Sequence, residues 1–303
     1  MYRARALVAT LGAGTLALLA GCSGSASAGP SSDGPLKIAT SFYPLQYVTE
    51  RIAGDRADVS SLTPPGAEPH DLELTPKDVA KIADAAFVVY LGGFQPAVDD
   101  AISAGAGGHG DIDVKDAAKL DRTVADEGEN GTDPHFWLDP QRLSAVATLI
   151  EQRLSAQDQP GAAVYQKNLA ALLTDLTTLD DEFRTGLASC TNKDLVTSHQ
   201  AFGYLAARYG LTQVGITGLT PDEEPNPATL ARVTDFVRAN QVRTIYYETL
   251  ISPAIARTVA SETGARTAVL DPIEGITADS QGDDYLAIMR SNLKDLKEGQ
   301  PCP

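Results

Sequence analysis

The chain has 303 residues, more than one core comfortably fills, so two domains are expected. Its 24 Lys and Arg stand against 40 Asp and Glu, a net charge of −16, and this excludes a nucleic-acid partner, which needs a basic face. The apolar fraction of 43% is ordinary for a globular protein, and an acidic surface suits a handler of cations without requiring one.

The first residues set the compartment. Arg3 and Arg5 precede an uncharged apolar run, Ala6 to Ala20, too short to span a bilayer comfortably. That is the form of a signal-peptide core. Leu19-Ala20-Gly21-Cys22 then resembles a bacterial lipobox, in which the cysteine becomes the lipidated first residue; a cleavage site beside a chance cysteine would look similar. Residues 23 to 35, SGSASAGPSSDGP, form a flexible tether. Residues 1–21 are therefore read as signal peptide and 22–35 as lipidated tether, with acyl chains on Cys22 anchoring the protein outside the cell membrane. In that oxidising setting Cys190 and Cys302 read as a disulfide, with two buried thiols as the alternative.

Beyond the tether, strands and helices alternate. Leu36 to Thr40 predicts a strand, Phe42 to Ile52 a helix and Val59 to Leu62 a strand. Thr75-Pro76 is an N-cap with proline at the first helical position, opening a helix to Ala85. Phe87 to Leu91 reads as a buried strand and Phe94 to Ser103 as a helix. Residues 105–132 are Gly-rich and acidic, and read as a mobile loop with one short strand near Ile112. Asp139-Pro140 repeats the cap signal for a helix to about Leu154. Tyr165, Leu169, Leu172, Leu176, Leu179 and Phe183 then mark one face of a single long helix, a stiff strut of roughly 40 Å. The second half alternates again, with strands at 195–197, 213–217, 242–247 and 265–270 and helices after His199 and at 227–240, 252–263 and 285–298. The organisation is α/β: an N-terminal lobe over 36–158, a linking helix over 159–188 and a C-terminal lobe over 189–303, each lobe a mostly parallel sheet flanked by helices. Ligands of such sheets lie beyond the carboxyl ends of the strands, which here means the cleft between the lobes.

His70 follows the second strand in "GAEPHD", His135 lies in "DPHFWLDP", His199 ends the strand from Leu195, and Asp271 ends the strand from Thr267. Three imidazoles and a carboxylate, two residues from each half, form a sensible tetrahedral set for Zn²⁺. Taken singly, each has a structural reading: a histidine near a strand end is usually a hydrogen-bonded core residue, and Asp271 before Pro272 is a common turn. His109, in the Gly-rich loop, reads as solvated.

The mature chain from Leu36 onward resembles the zinc/manganese solute-binding lipoproteins of bacterial ABC importers. The resemblance rests on "GAEPHDLELTP", "DPHFWLDP", "VTSHQAFGYLAARYGL", "YYETLISPAIARTVASETGA" and "VLDPIEGI", in that order. It implies His70, His135, His199 and Asp271 as metal ligands, Zn²⁺ as cargo with Mn²⁺ as the alternative, an ABC permease as partner, and no catalysis. A metallochaperone is a further candidate partner, and a monomer is expected. Two departures stand out. Residues 105–132 replace the family's His-rich loop with acids and one histidine, which argues against metal collection there, and His199 stands where manganese members commonly have Glu, which favours zinc. Glu68 and Glu248 lie close to ligand motifs, as outer partners or a substitute ligand. A zinc hydrolase and a surface adhesin are the competing functions; the chain has no HExxH stretch, and four ligands leave no open position for water.

Because Cys22 is the evident anchor, Cys22→Ser should release the protein from the membrane fraction or stall its processing. Membrane association that survives a salt wash in this variant would point to another attachment.

Overall fold

The apolar strand segments and the capped helices between them assemble as two parallel sheets. A computed structural model describes residues 34–108, 110–126 and 129–302. The signal segment, Cys22, most of the tether and His109 lie outside the described residues. The first sheet contains β1 (Leu36–Thr40), β2 (Ala57–Ser61), β3 (Phe87–Tyr90) and β4 (Ile112–Asp113) in the order β2-β1-β3-β4. All its pairings are parallel, with Ile38 opposite Val59 on one side and Phe87 on the other. A two-stranded antiparallel hairpin follows, β5 (Thr123–Asp126) and β6 (Glu129–Thr132). The second sheet contains β7 (Asp194–Thr197), β8 (Thr212–Gly215), β9 (Thr244–Tyr247) and β10 (Arg266–Val269) in the order β10-β9-β7-β8, again all parallel. Parallel strands are covered on both faces, which is why Phe87-Val88-Val89 and Thr244-Ile245-Tyr246 are continuous buried runs.

Helices α1 (Tyr43–Ala53), α2 (Pro76–Asp84), α3 (Pro96–Ser103), α4 (Lys115–Ala118) and α5 (Pro140–Gln157) belong to the first half of the chain. The long helix α6 (Ala162–Leu187) comes next, then α7 (Gly203–Tyr209), α8 (Pro227–Ala239), α9 (Ala254–Thr263) and α10 (Tyr285–Gly299) in the second. Their starts are set by side chains that satisfy orphan backbone N–H groups. Thr75 accepts from the Asp78 N–H while Asp78 accepts from Thr75, a reciprocal box, and Asp139, Asn226 and Asp284 cap α5, α8 and α10.

The segment 105–132 departs from the expected loop. It holds β4, α4 and the β5–β6 hairpin. These elements are two to four residues long and drawn largely from Thr, Asp, Asn, Gly and Ala, so no apolar period announces them.

Helix α6 has 26 residues, about 39 Å at 1.5 Å per residue. Tyr165, Leu172, Leu176, Leu179, Phe183 and Leu187 form its buried stripe, with Leu169 partly covered, and the helix packs against α1, α5 and α10. Asp180 lies buried on it, accepting from Arg208 Nε at 2.5 Å and Nη2 at 2.8 Å and from the Tyr209 hydroxyl at 3.0 Å. Burial pushes that carboxyl up, but these donors outweigh it and hold it below the usual aspartate value. One apolar cluster runs from Ile38 and Phe87 through Trp137, Leu172 and Phe183 to Leu195 and Tyr285, so both lobes share a core and Pro35–Pro303 form one compact unit. Among the described residues no helix is long and apolar enough to cross a membrane.

Cys190 and Cys302 are joined, tying the residue just past α6 to the chain end across a separation of 112 residues. Closing a loop of that size restricts the unfolded chain by roughly 4–5 kcal/mol in the loop-entropy model. The double variant Cys190→Ser/Cys302→Ser should therefore lose up to about 4 kcal/mol in urea unfolding, without loss of the apolar core. An unchanged midpoint would show that the bridge constrains little.

Candidate metal centre

Four segments from the two halves meet in the cleft. His70 sits in the turn after β2, its ring edge-on to Phe94 with centroids 4.8 Å apart. The buried Gln95 amide holds this turn, donating to the Pro69 carbonyl at 3.1 Å and to the Thr63 hydroxyl at 2.9 Å. His135 lies just ahead of a 3-10 turn, Phe136–Leu138, which leads into the Asp139 cap of α5. Its ring stands against the Trp137 indole at 5.2 Å between centroids. His199 follows β7, its carbonyl accepting the Thr197 hydroxyl at 2.6 Å. Glu274 comes from the turn after β10.

The histidine tautomers follow from their partners. His135 Nδ1 lies 2.8 Å from Asp133 Oδ1, and His199 Nδ1 lies 2.6 Å from Glu248 Oε1. A carboxylate only accepts, so each Nδ1 carries the hydrogen and each Nε2 faces the cleft. There the Nε2 atoms gather on one oxygen. Glu274 Oε1 is 3.0 Å from His135, 3.5 Å from His199 and 3.6 Å from His70, and the His135 and His199 Nε2 atoms are 3.3 Å apart. One ligand atom from each of His70, His135, His199 and Glu274 falls within 4.8 Å of every other. A tetrahedral zinc with bonds near 2.0–2.1 Å separates its ligand atoms by about 3.3–3.4 Å. The group is close to that size.

Asp271, expected from sequence as the fourth member, is not brought into this group. Its Oδ1 accepts the Ile273 N–H at 2.8 Å and its Oδ2 accepts the Thr249 hydroxyl at 3.2 Å. Its backbone is paired in both directions with the Asn292 amide, at 2.9 and 2.7 Å. The aspartate thus shapes the turn, and the carboxylate that enters the cleft is Glu274, three residues on. Ile273 between them has φ +60°, a left-handed conformation rare for a β-branched residue, and the chain needs it to turn Glu274 inward. The signal was inside "VLDPIEGI" itself: a second acid beyond the Asp-Pro turn, which the strand-end rule passed over.

Glu248 is the Nδ1 partner of His199, one of the two positions its sequence left open, the other being a substitute ligand. Glu68 accepts the His70 backbone N–H at 2.9 Å and reaches within 4.0 Å of His70 Nε2. Asp133 was not anticipated; its sequence signal is that it lies two residues before His135.

The electrostatics follow from burying four ionisable groups together. Burial pulls His199 down, but the Glu248 carboxylate and then Glu274 outweigh it and raise the imidazole to about 10. Burial likewise lowers His135, and Asp133 with Glu274 raises it above its ordinary value. For His70 burial wins, and it stays neutral more readily than a free histidine. Burial pushes Glu274 up, yet the imidazoles of His135, His199 and His70 close to its Oε1 bring it well below the ordinary glutamate value. Glu68 moves the other way, raised by burial and by the Glu274 charge. Burial also lifts Asp271, to about 6, against the Ile273 N–H and Thr249 hydroxyl that favour its charged form.

Two parallel α/β lobes sharing one long helix, with imidazoles and a carboxylate buried between them, are the architecture of a two-lobed solute-binding protein with a candidate metal site. The chain belongs to the zinc-uptake complex component A, periplasmic family (ZnuA), whose model matches residues 38–299. It is 38% identical over 281 residues to the zinc-binding lipoprotein AdcA of Streptococcus pneumoniae, covering 88% of this chain and 56% of that one, so it spans about half the relative's length. It is 36% identical over 298 residues to the high-affinity zinc uptake system protein ZnuA of Bacillus subtilis, covering 93% of each. The crystal structure of the Zn(II)-bound ZnuA-like domain of S. pneumoniae AdcA matches with a TM-score of 0.74 at 38% identity, covering 88% of this chain and 99% of that one.

In the metal-free protein His199 should hold both ring protons at neutral pH and lose one only as pH rises through about 10. Its folded pKa lies above the ordinary 6.5, so its contribution to stability is full below about 6.5 and is lost as pH rises through the folded value. Histidine ¹⁵N shifts recorded against pH in apo protein measure this. A neutral His199 ring at pH 7 would show that burial outweighs the Glu248 and Glu274 carboxylates.

Proposed function

We propose that this chain captures Zn²⁺ outside the cell membrane and delivers it to an ABC permease for uptake. His70, His135, His199 and Glu274 are its ligands, with Glu274 in the place that Asp271 holds in the sequence reading. The observation that carries this is the convergence of three Nε2 atoms at 3.0–3.6 Å on one buried carboxylate oxygen. Three imidazoles and one carboxylate suit zinc, whereas manganese favours carboxylate and water oxygens. Four protein ligands fill a tetrahedron and leave no position for a hydrolytic water, which supports capture over catalysis. The names of the relatives, a zinc-binding lipoprotein and a high-affinity zinc uptake protein, support the same cargo and task. Anchoring through Cys22 is part of this proposal and rests on the lipobox-like stretch.

Asp133 and Glu248 then act through the histidines. Each fixes an imidazole and raises its basicity, as partners behind metal-bound histidines generally do. Zinc takes the positions that protons hold in the ion-free state. His199 is raised to about 10, so metal must displace its proton at neutral pH, and because His135 is raised as well, affinity must fall as pH falls. Calorimetry at pH 7 in buffers of different ionisation enthalpy should show about one proton released per zinc, from His199.

The ligand assignment is tested by competition titration with a zinc chelator. Glu274→Ala should weaken zinc by more than about 100-fold, beyond the 10–100-fold usual for an outer partner, and Asp271→Asn should fall within that lower range. If Asp271→Asn weakens binding more than Glu274→Ala, the aspartate is the ligand after all. For transport, a strain lacking this protein should fail to grow in low zinc. The Glu274→Ala form should not restore growth, and restored growth would separate uptake from this site.

A further inference from the structure

Two of the four ligand-bearing segments of the cleft are joined by a hydrogen bond that the metal centre itself does not explain. The Trp137 indole N–H donates to the Pro272 carbonyl at 2.7 Å. Trp137 lies two residues after His135, in the first half of the chain, and Pro272 two residues before Glu274, in the second. The indole is wholly buried, packed on Phe42 at 4.9 Å and Phe94 at 5.7 Å between centroids, and Phe94 is the ring that His70 stands on. Its backbone carbonyl accepts the Tyr285 hydroxyl at 2.6 Å, which fixes it from α10. An indole has a single donor and no acceptor, so its bond has one direction and one partner.

The far end of this bond is the strained part of the site. The peptide after Pro272 leads into Ile273 at φ +60°. A branched side chain rarely adopts this conformation, which persists only where the surroundings impose it. Two contacts impose it here: the Asp271 carboxylate on the Ile273 N–H, and the Trp137 indole on the Pro272 carbonyl. Without the indole the Pro272 peptide could rotate, and Glu274, the next residue after Ile273, would turn with it.

We propose that Trp137 is a positioning residue: its indole N–H fixes the Pro272 carbonyl and so holds the left-handed Ile273 turn that presents the Glu274 carboxylate to the three imidazoles. The bond makes placement of the fourth ligand depend on the segment that carries His135, so the cleft halves assemble the site jointly. The inference rests on the reading of Glu274 as a zinc ligand. It differs from a packing role, because a packing residue would affect zinc equally whether or not Glu274 is present.

The test is a double-variant cycle on the full mature protein, purified metal-free and titrated with Zn²⁺ against a chelator. Trp137→Phe removes the donor and keeps an aromatic ring. Incorporation of 3-benzothienyl-alanine at position 137 keeps the fused-ring shape and removes only the N–H, so the question survives if the phenylalanine variant folds poorly. Each should weaken zinc about ten-fold, the scale of an outer-partner loss, and each loss should vanish in the Glu274→Ala background, where no carboxylate remains to be positioned. Equal losses in both backgrounds, or no loss in the parent, would overturn the proposal. Zinc binding of Glu274→Ala as tight as the parent would instead sink the ligand assignment, whereas a weakened Glu274→Ala beside an unaffected Trp137→Phe would sink the positioning role alone.

Discussion

A carboxylate buried against three imidazole nitrogens is the constraint on which the rest of this molecule depends. Glu274 is only 1% exposed. A lone buried carboxylate is strongly disfavoured unless charge and hydrogen bonds compensate it. Here the compensation comes from His135 and His199, whose charged forms are favoured by Asp133 and Glu248 as well as by Glu274 itself. The buried acids and imidazoles therefore compensate one another's charge.

Such a site cannot be made by one segment. His70, His135, His199 and Glu274 come from turns after β2, ahead of α5, after β7 and after β10. Parallel sheets supply the answer, since all their strands end on the same side and each end can carry one functional side chain. Two sheets then bring two such rims together, and α6 with its continuous apolar stripe fixes their spacing. One apolar core is shared across that frame. The strain at Ile273 is tolerated because surrounding contacts, from Asp271, Asn292 and Trp137, leave the turn little alternative.

The outer partners show why histidines in this setting are more than donors. Asp133 accepts both the backbone N–H and the ring Nδ1–H of His135, so a single side chain fixes its rotation and its tautomer. Glu248 reaches His199 from the neighbouring strand β9, which makes tautomer choice a tertiary matter. Glu68 and Glu274 share the opposite problem. Two carboxylates in one buried place cannot both be charged cheaply, so one is pushed up while the imidazoles keep the other ionised.

The sequence by itself determined the alternation of strand and helix, the strut helix from its four-and-three apolar steps, the caps at Thr75 and Asp139, and three histidines at strand ends. Each of these is written locally, in periodicity or in a residue whose chemistry acts on its own neighbours. Tertiary structure decided the rest. The β5–β6 hairpin has too little apolar content to announce itself and is defined by pairing. The choice of Glu274 over Asp271 was invisible because both acids lie in one turn of "VLDPIEGI". Only the fold gives Asp271 the Ile273 N–H, the Thr249 hydroxyl and the Asn292 amide as partners, and so turns its neighbour into the cleft. A strand-end rule points to this turn, but it is the fold, with Ile273 at φ +60°, that sets Glu274 rather than Asp271 beside the three imidazoles.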